Sequence, residues 1–223
     1  MKSFVGNDLV DLGAAHNRGR ARQVRFLERV LTRAERERMA RENGGDDAFA
    51  LLWSAKEAAY KAVKKHDPAL AFAPRRWQVE VDSLTLSPAG NQGRVTIAPG
   101  TQVNVCWQRD DGWVHCIALL GAPPVLLDRA VASAAELDAD GDFHERERQG
   151  FSCRESAAVR NLARRLLQRC GAGKVDILRT RQGGIRLPPR ACTGEVPMAG
   201  VDLSLSHDGR FVAAVIATDR HCC

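Results

Sequence analysis

The amino-acid sequence predicts an α+β protein arranged as a pseudo-dimer of two helix-plus-antiparallel-sheet halves. An alanine-rich helical run ending near Lys65 precedes a block of two-residue alternation from Trp77 to Leu120. A second amphipathic run, Ser152 to about Cys170, precedes another alternating block that closes with Phe211 to Ala217. Between them Gly121-Ala122-Pro123-Pro124 interrupts the pattern, which sets the expected boundaries at 1–121 for the first half, 122–145 for a connection and 146–223 for the second half.

Taken in order, Phe4 to Leu12 reads as a short strand with a charged exit whose acids are Asp8 and Asp11. Gly6 within it lets a backbone or a ligand come close. Val24, Leu27, Val30 and Leu31 recur at helical spacing on an Arg-rich background, and Thr32-Arg33-Ala34-Glu35 has the form of a capping box opening a second helix. Gly44-Gly45-Asp46-Asp47 breaks that pattern, with Asp46 or Asp47 the expected cap of the helix that follows. The strands Trp77–Val81, Arg94–Ile97, Gln102–Trp107 and Trp113–Leu120, with Asp110-Asp111-Gly112 as a turn, form an antiparallel meander.

The residues after Pro124, including the acidic run Glu136 to Asp142, read as connection or weak helix. The helix from Ser152 carries Ala157, Val159, Leu162, Ala163, Leu166 and Leu167 and stops at Gly171 and Gly173. Strands are expected at Val175–Arg179, Gly184–Leu187 and Val201–Ser206, with His207-Asp208-Gly209-Arg210 as a hairpin turn into the last strand.

The 33 Lys and Arg against 27 Asp and Glu give a formal charge of +6, with Arg concentrated in 18–41 and 146–169, which favours anionic partners. Seven cysteines without a C-x-x-C spacing argue against a zinc cluster or a disulfide framework. The N-terminus lacks an apolar signal region and no stretch is long enough to span a bilayer, so a reduced, cytoplasmic protein is expected. The chain has no Walker A loop, G-x-G-x-x-G, G-x-S-x-G or H-E-x-x-H.

Chemistry concentrates on Leu52 to Ala62, where Trp53, Glu57 and Lys61 fall four apart on one helical stripe. A Glu–Lys pair at that spacing is common surface decoration; Trp53 on the same stripe and Phe49 one turn earlier raise its interest. Asp8 offers a second carboxylate, and Mg²⁺ takes one or two carboxylates with water and phosphate oxygens. Ser204 and Ser206 lead to His207, and hydroxyl and imidazole groups are suitable donors to phosphate. Arg154 and Arg160, near a helix start, are the better phosphate candidates among the arginines of the second half.

Together Gly6-Asn7-Asp8, Trp53-Ser54-Ala55-Lys56-Glu57-Ala58-Ala59-Tyr60-Lys61 and Ser204-Leu205-Ser206-His207 resemble the three motifs of the 4'-phosphopantetheinyl transferase superfamily. In length and in its two halves the chain is similar to the larger, monomeric class. It has the Gly-x-Asp and Lys-Glu half first, as the short holo-acyl-carrier-protein synthases do, which implies halves exchanged in sequence.

The resemblance implies transfer of 4'-phosphopantetheine from coenzyme A to a serine of an apo acyl, peptidyl or aryl carrier protein, with release of 3',5'-ADP. It assigns Mg²⁺ to Asp8 and Glu57, and the serine proton to Glu57 directly or through a metal-bound water. Lys61 orients Glu57, and Lys56 holds a phosphate. Ser206, His207, Arg154 and Arg186 hold the ADP moiety. Val10 stands where the larger class often has another acid, and Asn7 where an apolar residue is usual. Carrier proteins are commonly acidic, so the Arg-rich stretch 18–25 is the expected docking patch. The competing reading is a non-catalytic basic module for nucleic acid or an acidic protein; a single Tyr and the lack of an RNA-binding signature weigh against it. A monomer, with no nucleic-acid or membrane partner, is expected.

Overall fold

The computed structural model describes residues 3–219 apart from 88, 98–99 and 183–184, and leaves the side chains of 181–186 undescribed. Strand β1 (Phe4–Asp11) is followed by a 3-10 turn (Arg20–Arg22) and helices α1 (Val24–Val30), α2 (Arg33–Arg41) and α3 (Asp46–His66). Then come a second 3-10 turn (Pro74–Arg76) and strands β2 (Gln78–Val81), β3 (Asn91–Ile97), β4 (Thr101–Asp110), β5 (Trp113–Leu120) and β6 (Leu126–Ser133). A third 3-10 turn (Ala134–Glu136), α4 (Glu145–Arg148) and α5 (Arg154–Arg169) lead to the short strands β7 (Asp176–Leu178), β8 (Arg181–Gln182), β9 (Ile185–Arg186), β10 (Arg190–Thr193) and β11 (Val196–Pro197). The hairpin β12 (Val201–Asp208) and β13 (Phe211–Thr218) completes an α+β fold whose described strand pairings are antiparallel. No helix among the described residues is long and apolar enough to cross a membrane.

The first sheet has the order β1-β5-β4-β3-β2 and carries α3 on one face; a second has the order β12-β13-β6 and carries α5. The alanines of α3 set how closely it packs: Ala55, Ala58, Ala59 and Ala62 are fully buried. Gly6 completes the fit, because a Cβ there would stand 1.9 Å from the Ala58 carbonyl oxygen and 2.7 Å from the Ala62 nitrogen. Helix and strand backbones touch at this point, and only glycine leaves room for that.

The two sheets meet through an apolar cluster of Val5, Ile117, Val215 and Ala217 and through an unusual seam. The outward N–H groups of Val5, Asn7, Leu9 and Asp11 on β1 donate to the side chains of Asp202, Ser204, Ser206 and Asp208 on β12, at 2.7, 2.9, 3.2 and 2.8 Å. The constant offset of 197 residues means that the strands run in the same direction. The edge of β1 is thus satisfied by side chains instead of by a backbone ladder. Asn7, buried, adds a strap across the seam, donating from Nδ2 to the Ala213 carbonyl at 3.2 Å and meeting His115 Nε2 at 3.1 Å.

Three expectations need correction. Residues 126–133 form β6, paired along its length with β13, instead of connection or weak helix; its alternation is blurred because most of its side chains are only partly buried. Asp46 does not cap α3, whose N-cap is Gly45; its carboxylate instead accepts the N–H groups of Gly19 and Ala21 at 2.6 and 2.9 Å and ties down the preceding loop. His207 lies within β12 opposite Val212, not in the turn, which is made by Gly209 and Arg210. Gly209 has φ +52°, and a Cβ on it would be 2.4 Å from the Asp11 carboxylate. The capping box at Thr32 and Glu35, the meander and the α5 limits agree with expectation.

Candidate active site

The stripe on α3 faces the seam. Phe49, Trp53 and Glu57 line a cavity of about 320 Å³ together with Asp8, His16, Arg20, His207 and Asp208. A second cavity, about 240 Å³, shares Asp8 and His207 with the first and adds Lys61, Ser206, Arg160 and Arg179. A third, about 200 Å³, continues past Lys61 and Arg179 to Lys64, Lys65 and Pro189. A larger cleft of about 680 Å³ lies away from the seam, between α2 and β2–β3. Its floor is the exposed Gln92 and Arg94, and Arg38 there is bonded to the Val81 and Asp82 carbonyls. The smaller seam cavities, where acids and bases from both sheets converge, are therefore the candidate site.

Asp8, held mid-strand on β1, accepts on Oδ1 from Lys61 Nζ at 2.8 Å and from the Ser206 hydroxyl at 3.1 Å. Lys61 also donates to the Asn7 carbonyl at 2.9 Å and to Ser206 Oγ at 3.3 Å. One turn on, Lys65 bonds the Val5 carbonyl at 2.5 Å and Asp202 at 2.9 Å, so two lysines of α3 close the seam from the side. Burial raises the Asp8 carboxyl against the pull of Lys61 and Ser206. Glu57 has no hydrogen-bond partner among the described residues, and burial, then the charge of Asp8, push its carboxyl up to about 7 despite Lys61. Two mutually repelling carboxylates at a cavity, one without a partner, fit a divalent cation that takes its other ligands from water and phosphate. Among the described residues no group of three or more His, Cys, Asp or Glu side chains is placed to hold a metal.

Trp53 packs. It stacks on Phe49 with ring centres 6.1 Å apart and meets Phe26 and Phe72 at 6.1 and 5.9 Å, forming the cavity's apolar wall.

The structure does not bring every expected ligand group to the cleft. Lys56 is fully buried in the core beneath α2, where its ammonium bonds Glu35 at 2.6 Å, the Pro74 carbonyl at 2.8 Å and the Val30 carbonyl at 3.0 Å. All three donors are consumed, so it holds no phosphate; its neighbour Glu57 points elsewhere because adjacent helical positions diverge by about 100°. Ser206 lines the second cavity, but its one proton goes to Asp8 while its oxygen accepts from Leu9 N–H and Lys61, which saturates a hydroxyl. It positions Asp8 instead of binding phosphate. Arg154 is exposed and reaches the Ala134 carbonyl at 3.4 Å; it is not among the residues lining the cavities. The Arg186 side chain lies outside the described residues. Asp11, buried, bonds Arg210 through both oxygens and pins the β12–β13 turn, well away from a metal role.

Sequence reasoning missed Lys65, His16, Arg20, Asp208 and Arg179 as cleft residues. Extending the four-residue stripe one further turn from Lys61 finds Lys65. His16 and Asp208 carry no such signal, since a loop and a strand 192 residues apart meet only in the folded chain.

A family model described as the 4'-phosphopantetheinyl transferase superfamily matches residues 4–117. The match runs from β1 into β5 and contains Asp8, Glu57 and Lys61; His207 lies outside it. No curated protein matches the chain.

Proposed function

The chain belongs to the 4'-phosphopantetheinyl transferase superfamily, and from that membership we propose that it moves 4'-phosphopantetheine from coenzyme A to a serine of an apo carrier protein. The observation that carries this reading is the meeting of Asp8, Glu57 and Lys61 from the matched half with His207 from the other half at one cleft. The cleft continues as a string of cavities whose lining adds Lys64, Arg160 and Arg179, and their positive charge suits a long, polyanionic ligand such as coenzyme A.

Asp8 and Glu57 are the residues to hold Mg²⁺, which when bound offsets the charge that develops on the pyrophosphate. Lys61 fixes Asp8 through a 2.8 Å ion pair, and Ser206 fixes it from the other sheet. Glu57 is the group to take the serine proton, directly or through an intervening water, because burial and the charge of Asp8 raise its affinity for a proton. His207 and Arg179 face the phosphates from the second half. The pseudo-dimer reading is supported by the parallel build of the two halves: α3 over the first sheet, α5 over the second, and a shared apolar cluster where they meet. That both sides of the cleft come from one chain supports a monomer as the working form. Cys106, Cys116, Cys153 and Cys192 are free thiols, which is in keeping with a cytoplasmic setting.

The test is incubation with a fluorescent coenzyme A, Mg²⁺ and a panel of apo acyl, peptidyl and aryl carrier proteins. Covalent labelling of a carrier is the expected result. No labelling across the panel, with salt-sensitive retention of DNA or RNA instead, would replace the enzyme with a basic binding module.

A further inference from the structure

Building on the transferase reading, we propose that Asp208, at the end of β12, is a positioning residue for the acceptor: it holds the loop between β1 and α1 on which an acidic carrier protein docks. Asp202, Ser204, Ser206 and Asp208 each accept one N–H of β1 along the seam. An ionised carboxylate has about four lone-pair sites, so the two aspartates have acceptor capacity left over. Asp202 turns it on Lys65, inside the seam, at 2.9 Å. Asp208 stands where β1 ends, and it turns to the loop that follows β1 instead.

Both oxygens of Asp208 are engaged. Oδ1 accepts from His16 Nε2 at 2.7 Å, and Oδ2 accepts from Asn17 Nδ2 at 2.5 Å and from Asp11 N–H at 2.8 Å. Asn17 Nδ2 also donates to the Asp11 carbonyl at 2.9 Å, so this one side chain ties the loop to β1 and to β12 at once. At the far end of the loop Asp46, on α3, accepts from the N–H groups of Gly19 and Ala21 at 2.6 and 2.9 Å. Between the two anchors Arg20 Nε donates to the His16 carbonyl at 2.6 Å, and its guanidinium lies 4.5 Å from the Phe26 ring centre. A first-half loop is thus clamped by one carboxylate from each half of the chain.

The loop's charge and place identify what it receives. From Leu12 to Leu27 the chain has arginines at 18, 20, 22 and 25 and no acid, and like charges this close spread a segment that nothing holds. Arg18, Arg22 and Arg25 are exposed and form no ion pair among the described residues, and Val24 between the last two is 64% exposed. Free cations around an apolar centre fit a partner with an acidic rim. His16, Asn17 and Arg20 line the cavity that holds Glu57, so a protein that brings a serine to that cavity lies against the loop. The cationic cavities suited to coenzyme A include neither Asp208 nor Asn17. A loop already held in its docking form spares the carrier the cost of ordering it; if the held form fell to a tenth of the population, apparent carrier affinity would fall about tenfold.

Cutting the anchor from either side tests it. In the fluorescent transfer assay with Mg²⁺ and the carrier that is labelled, Asp208→Ala and Asn17→Ala are each expected to raise the KM for carrier about tenfold and to leave that for coenzyme A within about twofold of the parent. Asp208→Asn, whose amide oxygen still accepts from Asp11 and Asn17, is expected to fall between. Hydrogen exchange on the protein alone is expected to quicken over residues 12–22 in both alanine variants and to stay parent-like elsewhere. Asn17→Ala keeps the Asp208 carboxylate on the seam, so it tests the loop even where Asp208→Ala does not fold. Equal rises in the two KM values, a parent-like KM for carrier in Asn17→Ala, or unchanged exchange over 12–22 would each overturn the proposal. Quickened exchange over the loop with no transfer by the unaltered protein would instead overturn the transferase reading and leave the anchor standing.

Discussion

Replacing Lys56 with methionine separates two roles that the sequence leaves indistinguishable. Methionine fills nearly the same volume, so the change removes charge and three donors with little loss of packing. Lys56 and Glu35 have side chains 0% and 2% exposed, and the ammonium contacts Glu35 at 2.6 Å, Pro74 O at 2.8 Å and Val30 O at 3.0 Å. Breaking a buried pair from one side costs about 3–5 kcal/mol, and buried carbonyls left without a donor add to it. Glu35 keeps two backbone partners, Thr32 N–H at 2.8 Å and Val79 N–H at 2.8 Å, which limits the loss. The expected destabilisation is therefore about 4 kcal/mol, a large part of a typical domain's stability. Urea unfolding reads it as a lower midpoint at unchanged slope. Adding Glu35→Gln should recover part of the loss, and the KM for coenzyme A should not move under conditions where the variant is folded. Stability within about 1 kcal/mol of the parent together with weakened coenzyme A binding would refute the core assignment and return Lys56 to the phosphates.

Other perturbations test the seam and the cleft. Gly6→Ala puts a methyl 1.9 Å from Ala58 O, and reaching an ordinary 3.4 Å contact requires α3 to shift by about 1.5 Å (3.4 − 1.9). A loss of about 1–3 kcal/mol or more and a transfer rate down about 10²-fold are expected; parent-like stability and rate would contradict the close approach. His115 is buried beside Asn7, and desolvation, then the charges of Arg129 and Lys61, lower its pKa to about 3 from 6.5. Because the unfolded chain takes up that proton first, stability is full above pH 6.5 and falls as pH drops towards 3. About 2 kcal/mol is lost by pH 5. Urea midpoints for the parent and His115→Phe should therefore diverge between pH 6.5 and 5, and identical pH dependence would show that His115 does not titrate this way. Glu57→Gln should nearly abolish label transfer with the far-UV spectrum unchanged; retained transfer would remove Glu57 from the chemistry. Arg22→Glu with Arg25→Glu, both exposed beside the cleft loop, should raise the KM for carrier more than that for coenzyme A. Equal shifts in both constants would place carrier docking elsewhere.

Much of the site is legible before folding because it is local. Phe49, Trp53, Glu57, Lys61 and Lys65 share a face by the helical repeat alone, and the alanines between them announce a tightly packed back. The meander and both hairpins follow from two-residue alternation broken by Gly-containing turns. Strand β6 was not legible, since a partly buried edge strand lacks clean alternation. Lys56 and Ser206 show the limit most clearly. Lys56 and Glu57 are adjacent, yet a helix sends them to different environments, and only the position of α2 determines that Lys56 meets Glu35.

Sequence alone was enough for the α+β class, the helix stripe and the pairing of Gly6 with a close neighbour, because backbone geometry and side-chain period act over a few residues. Only the tertiary structure decided which groups meet across the seam. Asp8 finds Ser206 198 residues away, His16 finds Asp208 192 residues away, and β12 closes the edge of β1 with its side chains. Such contacts depend on how two sheets and their helices pack, a global outcome of burying apolar faces that no local spacing encodes.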